Sequence, residues 1–226
     1  MQWIQEFQLF LFDFDGLLVN TEHIHYQAYI DLCRKMGCDL DWSFNEYCSY
    51  AHYSDSAIRE AIYAKFPKLF KKEPNWKVLY ELKKEIYMQL LISAKIELMP
   101  GVKKLLLSLE KENIKRCVVT NSLKSHIDLI KTRSDVLKTI PHWITREDYD
   151  KPKPSPESYL KAISLYAEKE DKIIGFEDSI RGYKALNQTP ALSILICSKE
   201  HPQIQTLPEE VIHFESLEDI ENNFNK

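Results

Sequence analysis

Glycine is scarce in this sequence, which has five glycines among 226 residues. Such a chain has few positions at which the backbone can turn sharply or approach a ligand closely at no steric cost. All but one of the five lie at junctions between predicted elements; in chain order they are Gly16, Gly37, Gly101, Gly175 and Gly182, with Gly37 the exception. The scarcity therefore marks those junctions as places where function is expected.

Paired cysteines and long apolar runs are also missing. The five cysteines are odd in number and include no Cys-x-x-Cys pair, which favours reduced thiols and a cytoplasmic protein over a disulfide-stabilised secreted one. No apolar run approaches the roughly 18 residues of a membrane span. The segment 1–6 has no basic region ahead of its apolar run, so it does not resemble a signal peptide. We therefore expect no membrane partner.

Positively charged residues are not clustered along the sequence either. The formal net charge is −4, and no long basic block is present, so nucleic acid is not an expected partner. Hydrophobic residues make up 44% of the chain, enough for a substantial core. The length suits one large domain or a main domain with a smaller insertion.

The first informative segment of the sequence is an apolar run, Leu9 to Phe12, which is long enough for one buried strand. Asp13 and Asp15 follow where this strand is expected to end, and Gly16 comes directly after them. Burying two neighbouring carboxylates is costly, and a metal cation relieves that cost. The alternative is a strand followed by an ordinary Asx-type turn.

The rest of the chain divides into two patterns. Residues 20–94 show helical spacing and many aromatics but no strand-like runs, which predicts a helical insert whose aromatics form a small core. From Met99-Pro100-Gly101 onward, strand-like runs alternate with helical segments. This alternation predicts an α/β fold with a Rossmann-like parallel sheet. The expected boundaries are 1–19 plus 95–226 for the α/β core and 20–94 for the insert.

Polar residues collect after the predicted strands, where open parallel sheets bind ligands. Thr120-Asn121 follows one strand, Glu177-Asp178 follows another, and Lys153 lies in a proline-rich loop. Carboxylates suit a hard cation such as Mg²⁺, and an aspartate can attack phosphorus while a second acid protonates the leaving alcohol. A hydroxyl and a lysine can hold phosphoryl oxygens. The set suits phosphoryl transfer.

Taken singly, these residues have simpler explanations. Thr120 can cap the helix after it, Asp178 can serve at a helix N-terminus, and Lys153 can be a solvated surface lysine. Their joint occurrence at successive strand ends favours a functional site.

Four segments, in order, resemble the motifs of the haloacid dehalogenase superfamily: Asp13–Leu18, Thr120–Asn121, Lys153–Leu160 and Gly175–Gly182. The match spans nearly the whole chain. The helical insert is similar to the cap of the subgroup that contains β-phosphoglucomutase and phosphoglycolate phosphatase-like enzymes. The resemblance implies a Mg²⁺-dependent enzyme with a haloacid-dehalogenase-like core and an inserted α-helical cap.

By position, the resemblance implies that Asp13 is the nucleophile and a Mg²⁺ ligand. Asp15 is then the general acid/base and ligates Mg²⁺ through its carbonyl oxygen. Asp178 is a further Mg²⁺ ligand, with Glu177 a direct or outer-shell helper. An acid at position 15 favours phosphatase or phosphomutase chemistry over dehalogenation, because a departing halide needs no proton.

The same resemblance implies that Thr120 and Lys153 bind the transferring phosphoryl group, helped by the Asn121 backbone. Lys151 is a rival for the lysine role. Aligning Lys153 with the family's lysine fits better, because Glu157 and Tyr159 then occupy the family's acidic and aromatic positions.

Two further expectations concern the insert. His25 lies where the chain leaves the core, and we expect it to contribute to substrate binding; the alternative is a histidine without a site role on the first cap helix. Segment 49–55, compared with the mutase cap loop, contains neither glycine nor arginine. Arginine suits a bisphosphate's distal end, so its absence favours hydrolysis of a small phosphorylated metabolite, a sugar or polyol phosphate, over phosphomutase chemistry. A non-catalytic phosphate-sensing protein is a third, less favoured alternative.

Overall fold

The structure is a computed structural model that describes residues 1–53, 56–208 and 210–224. Ser54 and Asp55, which belong to the segment 49–55 discussed above, lie outside the described residues. The described strands are β1 Leu9–Phe12, β2 Lys115–Val119, β3 His142–Ile144, β4 Ile173–Glu177, β5 Leu192–Ile196 and β6 Ile212–Phe214. The described α-helices are α1 Glu22–Lys35, α2 Phe44–Ala51, α3 Ala57–Lys65, α4 Pro67–Lys72, α5 Trp76–Ser93, α6 Val102–Lys111, α7 Lys124–Lys131, α8 Asp135–Lys138, α9 Glu157–Tyr166, α10 Ile180–Leu186 and α11 Leu217–Phe224.

The six strands form one parallel sheet in the order β3-β2-β1-β4-β5-β6. Strand β1 lies between β2 and β4, and Phe12 pairs with both Val118 and Phe176. The carboxyl ends of these three strands therefore meet at one edge, beside the point where the chain order reverses direction. Ligands bind at that point in doubly wound sheets, and this strand order is the Rossmann one. The predicted fold class is confirmed.

Strand β1 is apolar because it is covered on both faces, as central parallel strands are. All four of its residues are completely buried. The Phe12 and Phe176 rings stack with centroids 5.3 Å apart, and Phe10 stacks against both. Each buried phenylalanine contributes about 1.5–3 kcal/mol of transfer free energy. This packing anchors the strand that carries the two aspartates.

Helices α9 and α10 pack beside the sheet and carry side chains toward its carboxyl edge. Tyr159 of α9 and Leu186 of α10 belong to one buried cluster with Leu9 and Cys117 of the sheet. A Cβ at Gly175 in β4 would lie 2.6 Å from a Leu186 methyl carbon, so glycine there permits close helix–strand approach. That approach packs the last residue of α10 against the middle of β4.

The chain divides into two compact units, Met1–Asn20 with Ile96–Lys226, and Thr21–Lys95. In the first unit the outgoing and returning segments pair, since Val19 forms an antiparallel bridge with Leu98. The second unit contains α1 to α5. Its role as a cap remains a prediction.

The second unit has a core of its own, which includes the fully buried Leu32, Ile62 and Leu79. Several of its aromatics are buried there, as predicted. Among the described residues, however, Tyr53 is 70% exposed, Phe70 49% and Tyr80 40%, so the prediction of an aromatic core fails at these three positions. No described helix combines the length and the apolar character that crossing a bilayer would require.

Candidate active site

Two carboxylates follow directly from the end of β1. The Asp13 N–H donates to the carbonyl oxygen of Phe176 at 3.0 Å, which continues the strand pairing by one residue. Asp13 is 8% exposed and Asp15 is half-buried. Between them, Phe14 is fully buried and contacts the Trp143 ring edge-on. The packing of Phe14 thus fixes the backbone that carries both acids.

The ammonium group of Lys153 contacts acceptors from three parts of the site. It donates to Asp13 Oδ1 at 2.5 Å, to Glu177 Oε1 at 2.6 Å and to the Val119 carbonyl oxygen at 2.7 Å. These acceptors lie at the carboxyl ends of three adjacent strands. Burial lowers the pKa of Lys153, but Asp13 and Glu177 raise it, and the net pKa lies above its usual value. The lysine is therefore buried and charged, and the interpretation as a solvated surface lysine is wrong.

Tyr159 completes the contacts around Glu177. Its hydroxyl donates to Glu177 Oε1 at 2.5 Å and lies 3.2 Å from the Lys153 ammonium. Burial, then the charge of Glu177, raises the pKa of the phenol well above its usual value, so it stays protonated as a donor. The resemblance implied an aromatic residue at this position but did not indicate its hydrogen bonds.

The buried acids form a set suited to a cation. Asp13, Glu177 and Asp178 each offer a carboxylate oxygen, and these three oxygens lie within 4.8 Å of one another. With Asp15 there are four carboxylates, and Lys153 supplies one positive charge. Within the described part of the chain, nothing donates a hydrogen bond to the buried Glu177 Oε2. Buried carboxylate oxygens of this kind fit a hard cation such as Mg²⁺.

The Asp13 carboxyl has a raised pKa, and burial is the main cause. Burial raises the pKa of this carboxyl, Lys153 opposes the rise, and the charges of Glu177 and Asp15 add to it. The net result is a pKa of about 8. A cation bound to the cluster would favour the ionised form.

Two glycines make room for the acids. A Cβ at Gly16, where φ is +82°, would lie 2.2 Å from Asp178 Oδ2. A Cβ at Gly182 would lie 1.9 Å from Glu177 Oε2. The glycines that the sequence placed at junctions are thus sites of close approach by Asp178 and Glu177.

Asp178 lies in the loop before α10. The helix begins at Ile180, and Ser179 is its N-cap, accepting a hydrogen bond from the Gly182 N–H. The interpretation of Asp178 as an N-cap is therefore wrong. The sequence pattern predicts a helix over Asp178–Leu186, so the predicted start is two residues early and the predicted end is confirmed.

The segment after β2 contacts Asp15. Ser122 Oγ donates to Asp15 Oδ2 at 2.5 Å, and Thr120 Oγ1 lies 3.5 Å from the same oxygen. Thr120 accepts the Ser122 N–H at 3.0 Å, whereas α7 has Leu123 at its N-cap, so Thr120 does not cap that helix. Sequence reasoning missed Ser122, although its place directly after Thr120-Asn121 was a usable signal.

Asn121 links this segment to the Lys153 loop. Its side-chain oxygen accepts the Tyr149 hydroxyl at 2.6 Å and the Lys153 N–H at 3.3 Å. The same hydroxyl lies 2.8 Å from the Thr120 carbonyl oxygen. The Asn121 side chain thus ties two loops together, while phosphate binding by its backbone stays a prediction. Tyr149 was missed and lies in none of the quoted motifs.

His25 belongs to the second unit and is described within it. Its Nδ1 lies 2.6 Å from the buried Lys83 ammonium, and its ring stacks on Tyr87 with centroids 3.9 Å apart. His25, on α1, therefore packs against two residues of α5. Its substrate-binding role stays a prediction.

The sequence model of the haloacid dehalogenase-like hydrolases matches residues 10–193. The chain belongs to this family. The resemblance based on four motifs is thereby confirmed. The match includes every site residue discussed above.

Curated relatives of this haloacid dehalogenase-like hydrolase include Protein CbbY of Rhodobacter capsulatus, 23% identical over 87% of each chain. Another is 2-deoxyglucose-6-phosphate phosphatase 1 of Saccharomyces cerevisiae, 28% identical over 84% of this chain and 80% of that protein. The structure of β-phosphoglucomutase from Clostridium difficile is similar over 97% of each chain, with a TM-score of 0.72 and 22% identity. Family membership with a phosphatase among the relatives confirms the predicted class, phosphoric monoester hydrolase.

Proposed function

We propose that the protein hydrolyses the phosphate monoester of a small sugar or polyol through an aspartyl-phosphate at Asp13. The observation that carries the proposal is the buried contact of Asp13 with Lys153 beside Glu177 and Asp178. A carboxylate beside a phosphate needs compensation for its negative charge. The lysine and a cation on the acidic cluster supply it.

In the first step an Asp13 oxygen attacks phosphorus, the P–O bond to the alcohol breaks, and Asp15 gives its proton to the leaving oxygen. In the second step water attacks the aspartyl-phosphate, Asp15 takes a proton from that water, and the bond from phosphorus to Asp13 breaks. The Ser122 hydroxyl orients Asp15 for both transfers. Lys153 and Thr120 hold phosphoryl oxygens, and the Asn121 backbone assists them.

Asp13, Asp178, Glu177 and the Asp15 carbonyl would hold Mg²⁺, which when bound screens the phosphoryl charge and keeps Asp13 ionised. The donor chemistry of the cluster supports this assignment. Metal dependence is testable with p-nitrophenyl phosphate before the physiological substrate is known: chelation by EDTA should abolish its turnover, and added Mg²⁺ should restore it.

The test is phosphate release from a panel of sugar and polyol phosphates in the presence of Mg²⁺. Asp13→Asn should lose at least about 10³-fold in kcat, a large part of the gain expected from covalent and electrostatic catalysis. Asp39→Asn, at an exposed aspartate of the second unit, serves as the matched control and should retain full activity. Undiminished turnover by Asp13→Asn would eliminate the proposed nucleophile.

The same panel separates the phosphomutase alternative. A mutase would interconvert glucose 1-phosphate and glucose 6-phosphate when a bisphosphate is added, with little free phosphate. We expect free phosphate without bisphosphate stimulation. Binding of a phosphorylated sugar with no turnover at all would favour the phosphate-sensing alternative.

A further inference from the structure

The segment Asp178–Ile180 connects β4 to α10 and carries one proposed metal ligand. It is held from the side by Gln203, which lies after β5 in the 3-10 helix Pro202–Thr206. Gln203 Nε2 donates to the Asp178 carbonyl oxygen at 2.6 Å. Gln203 Oε1 accepts the Ile180 N–H at 2.8 Å. One side-chain amide thus bonds the backbone on both sides of Ser179, as a neighbouring strand would.

The amide of Gln203 is fixed in its own right. The residue is 9% exposed, and Nε2 also lies 3.3 Å from the Sγ of Cys197 at the end of β5. Its backbone N–H donates to His201 Nδ1 at 3.3 Å. A reversed amide would set oxygen against the Asp178 carbonyl oxygen and N–H against the Ile180 N–H, so only one orientation satisfies both bonds.

The carboxylate of Asp178 is confined at its other end. Its Oδ2 occupies the space that a Cβ at Gly16 would take. Its backbone is held by Gln203, and its oxygen lies in the cluster with Asp13 and Glu177. The backbone of Asp178 is thus held by Gln203, and the missing side chain at Gly16 leaves room for its carboxylate beside Asp13 and Glu177.

We propose that Gln203 is a positioning residue for metal binding: it fixes the backbone of Asp178 so that its carboxylate joins Asp13 and Glu177. The inference rests on the proposed function, since it concerns the cation of that site. Groups that orient metal ligands typically affect metal affinity or activity 10–100-fold. Nothing in the sequence pattern marks Gln203, because it lies 25 positions beyond Asp178 and outside all four motifs.

The test replaces Gln203 by methionine, which keeps the approximate volume and removes both hydrogen bonds. The matched control is Gln8→Met, since Gln8 Oε1 accepts the Lys172 N–H at 2.9 Å beside the opposite end of β4. Calorimetric titration with Mg²⁺ and no substrate gives Kd for each protein. We expect Gln203→Met to raise the Mg²⁺ Kd at least about tenfold, and Gln8→Met to leave it unchanged.

Two further readouts separate positioning from general stability. Saturating Mg²⁺ should restore most of the kcat of Gln203→Met, which a merely structural defect would not allow. Hydrogen exchange at the Ile180 amide should accelerate in Gln203→Met but not in Gln8→Met. If Gln203→Met does not fold, Gln203→Glu keeps an acceptor for the Ile180 N–H but replaces the donor to Asp178 and Cys197 with a carboxylate oxygen that repels the Asp178 carbonyl oxygen; it should weaken Mg²⁺ binding as well.

The outcomes are distinguishable. Mg²⁺ binding by the wild type with an unchanged Kd in both Gln203 variants overturns the positioning role and leaves the proposed function standing. A wild type that binds no Mg²⁺ overturns the metal assignment and the positioning role together. A raised Kd in the Gln203 variants alone supports the inference.

Discussion

Replacing Gly182 by alanine would place a methyl group inside the acidic cluster. The new Cβ would lie 1.9 Å from Glu177 Oε2 and 2.1 Å from its Cδ, whereas ordinary contact begins at 3.4 Å. The carboxylate must therefore retreat by about 1.5 Å, the difference between 3.4 and 1.9 Å. Glu177 cannot rotate away freely, because Lys153 and Tyr159 hold its other oxygen at 2.6 and 2.5 Å.

The displacement is large enough to show in turnover. A misplacement of 1 Å in a site can cost about 10²-fold, so we expect Gly182→Ala to lower kcat/KM about 100-fold, or about 2.7 kcal/mol of transition-state stabilisation. Alanine is favoured over glycine within a helix by about 0.5–1 kcal/mol, while loss of a hydrogen bond to a charged group costs about 1.5–3 kcal/mol. The free energy of unfolding should fall by about 1–2 kcal/mol.

Hydrolysis of p-nitrophenyl phosphate with Mg²⁺ measures the first quantity, and urea unfolding followed by circular dichroism measures the second. Gly37→Ala is the control. Its Cβ would meet nothing within 4 Å, but its φ of +84° is strained for alanine. That variant should lose about 1–2 kcal/mol of stability and no activity. A fully active Gly182→Ala variant would refute the claim that Glu177 can take its position in the site only when residue 182 is glycine.

Two other predictions concern the same cluster. Tyr159→Phe keeps the ring and removes the donor to Glu177, so stability should fall by about 1.5–3 kcal/mol in urea unfolding and Mg²⁺ should bind about 10-fold more weakly; unchanged values for both would show that the hydroxyl is idle. Because the pKa of Asp13 is raised from 3.8 to about 8, the folded metal-free protein holds a proton that the unfolded chain loses, and the contribution of Asp13 to stability falls as pH rises from 4 to 8. Metal-free Asp13→Asn should therefore gain stability relative to wild type between pH 5 and pH 8, and a constant difference across that range would contradict the assignment.

Much of the architecture followed from local features of the sequence. The run Leu9–Phe12 predicted a buried strand because it is apolar throughout and too short for a helix of ordinary length. Asp13, Asp15 and Gly16 marked its functional end, and alternating strands and helices predicted the parallel sheet. Helix boundaries differed from the prediction where an N-cap residue determined them. Ser179 caps α10, so this helix begins at Ile180, two residues after Asp178.

The contacts between side chains within the site were harder to predict from the sequence. Lys153 is 140 positions from Asp13, and without the resemblance it would have been one surface lysine among many. Its burial follows from three strand ends meeting at one edge, which the strand order determines. The exposure of Tyr53, Phe70 and Tyr80 was missed for a related reason, because an aromatic residue in a helical pattern does not reveal which face of the helix packs against a partner.

By itself the sequence determined the fold class, the family and the identity of the principal acids and the lysine, because these depend on short-range periodicity and on motifs of fixed spacing. Only the tertiary structure decided that Glu177 and Asp178 sit where Gly182 and Gly16 leave space, and that Tyr159, Tyr149 and Gln203 hold the loops around them. Such contacts join residues far apart in the chain. They arise only when the sheet brings its strand ends together, and no local pattern encodes them.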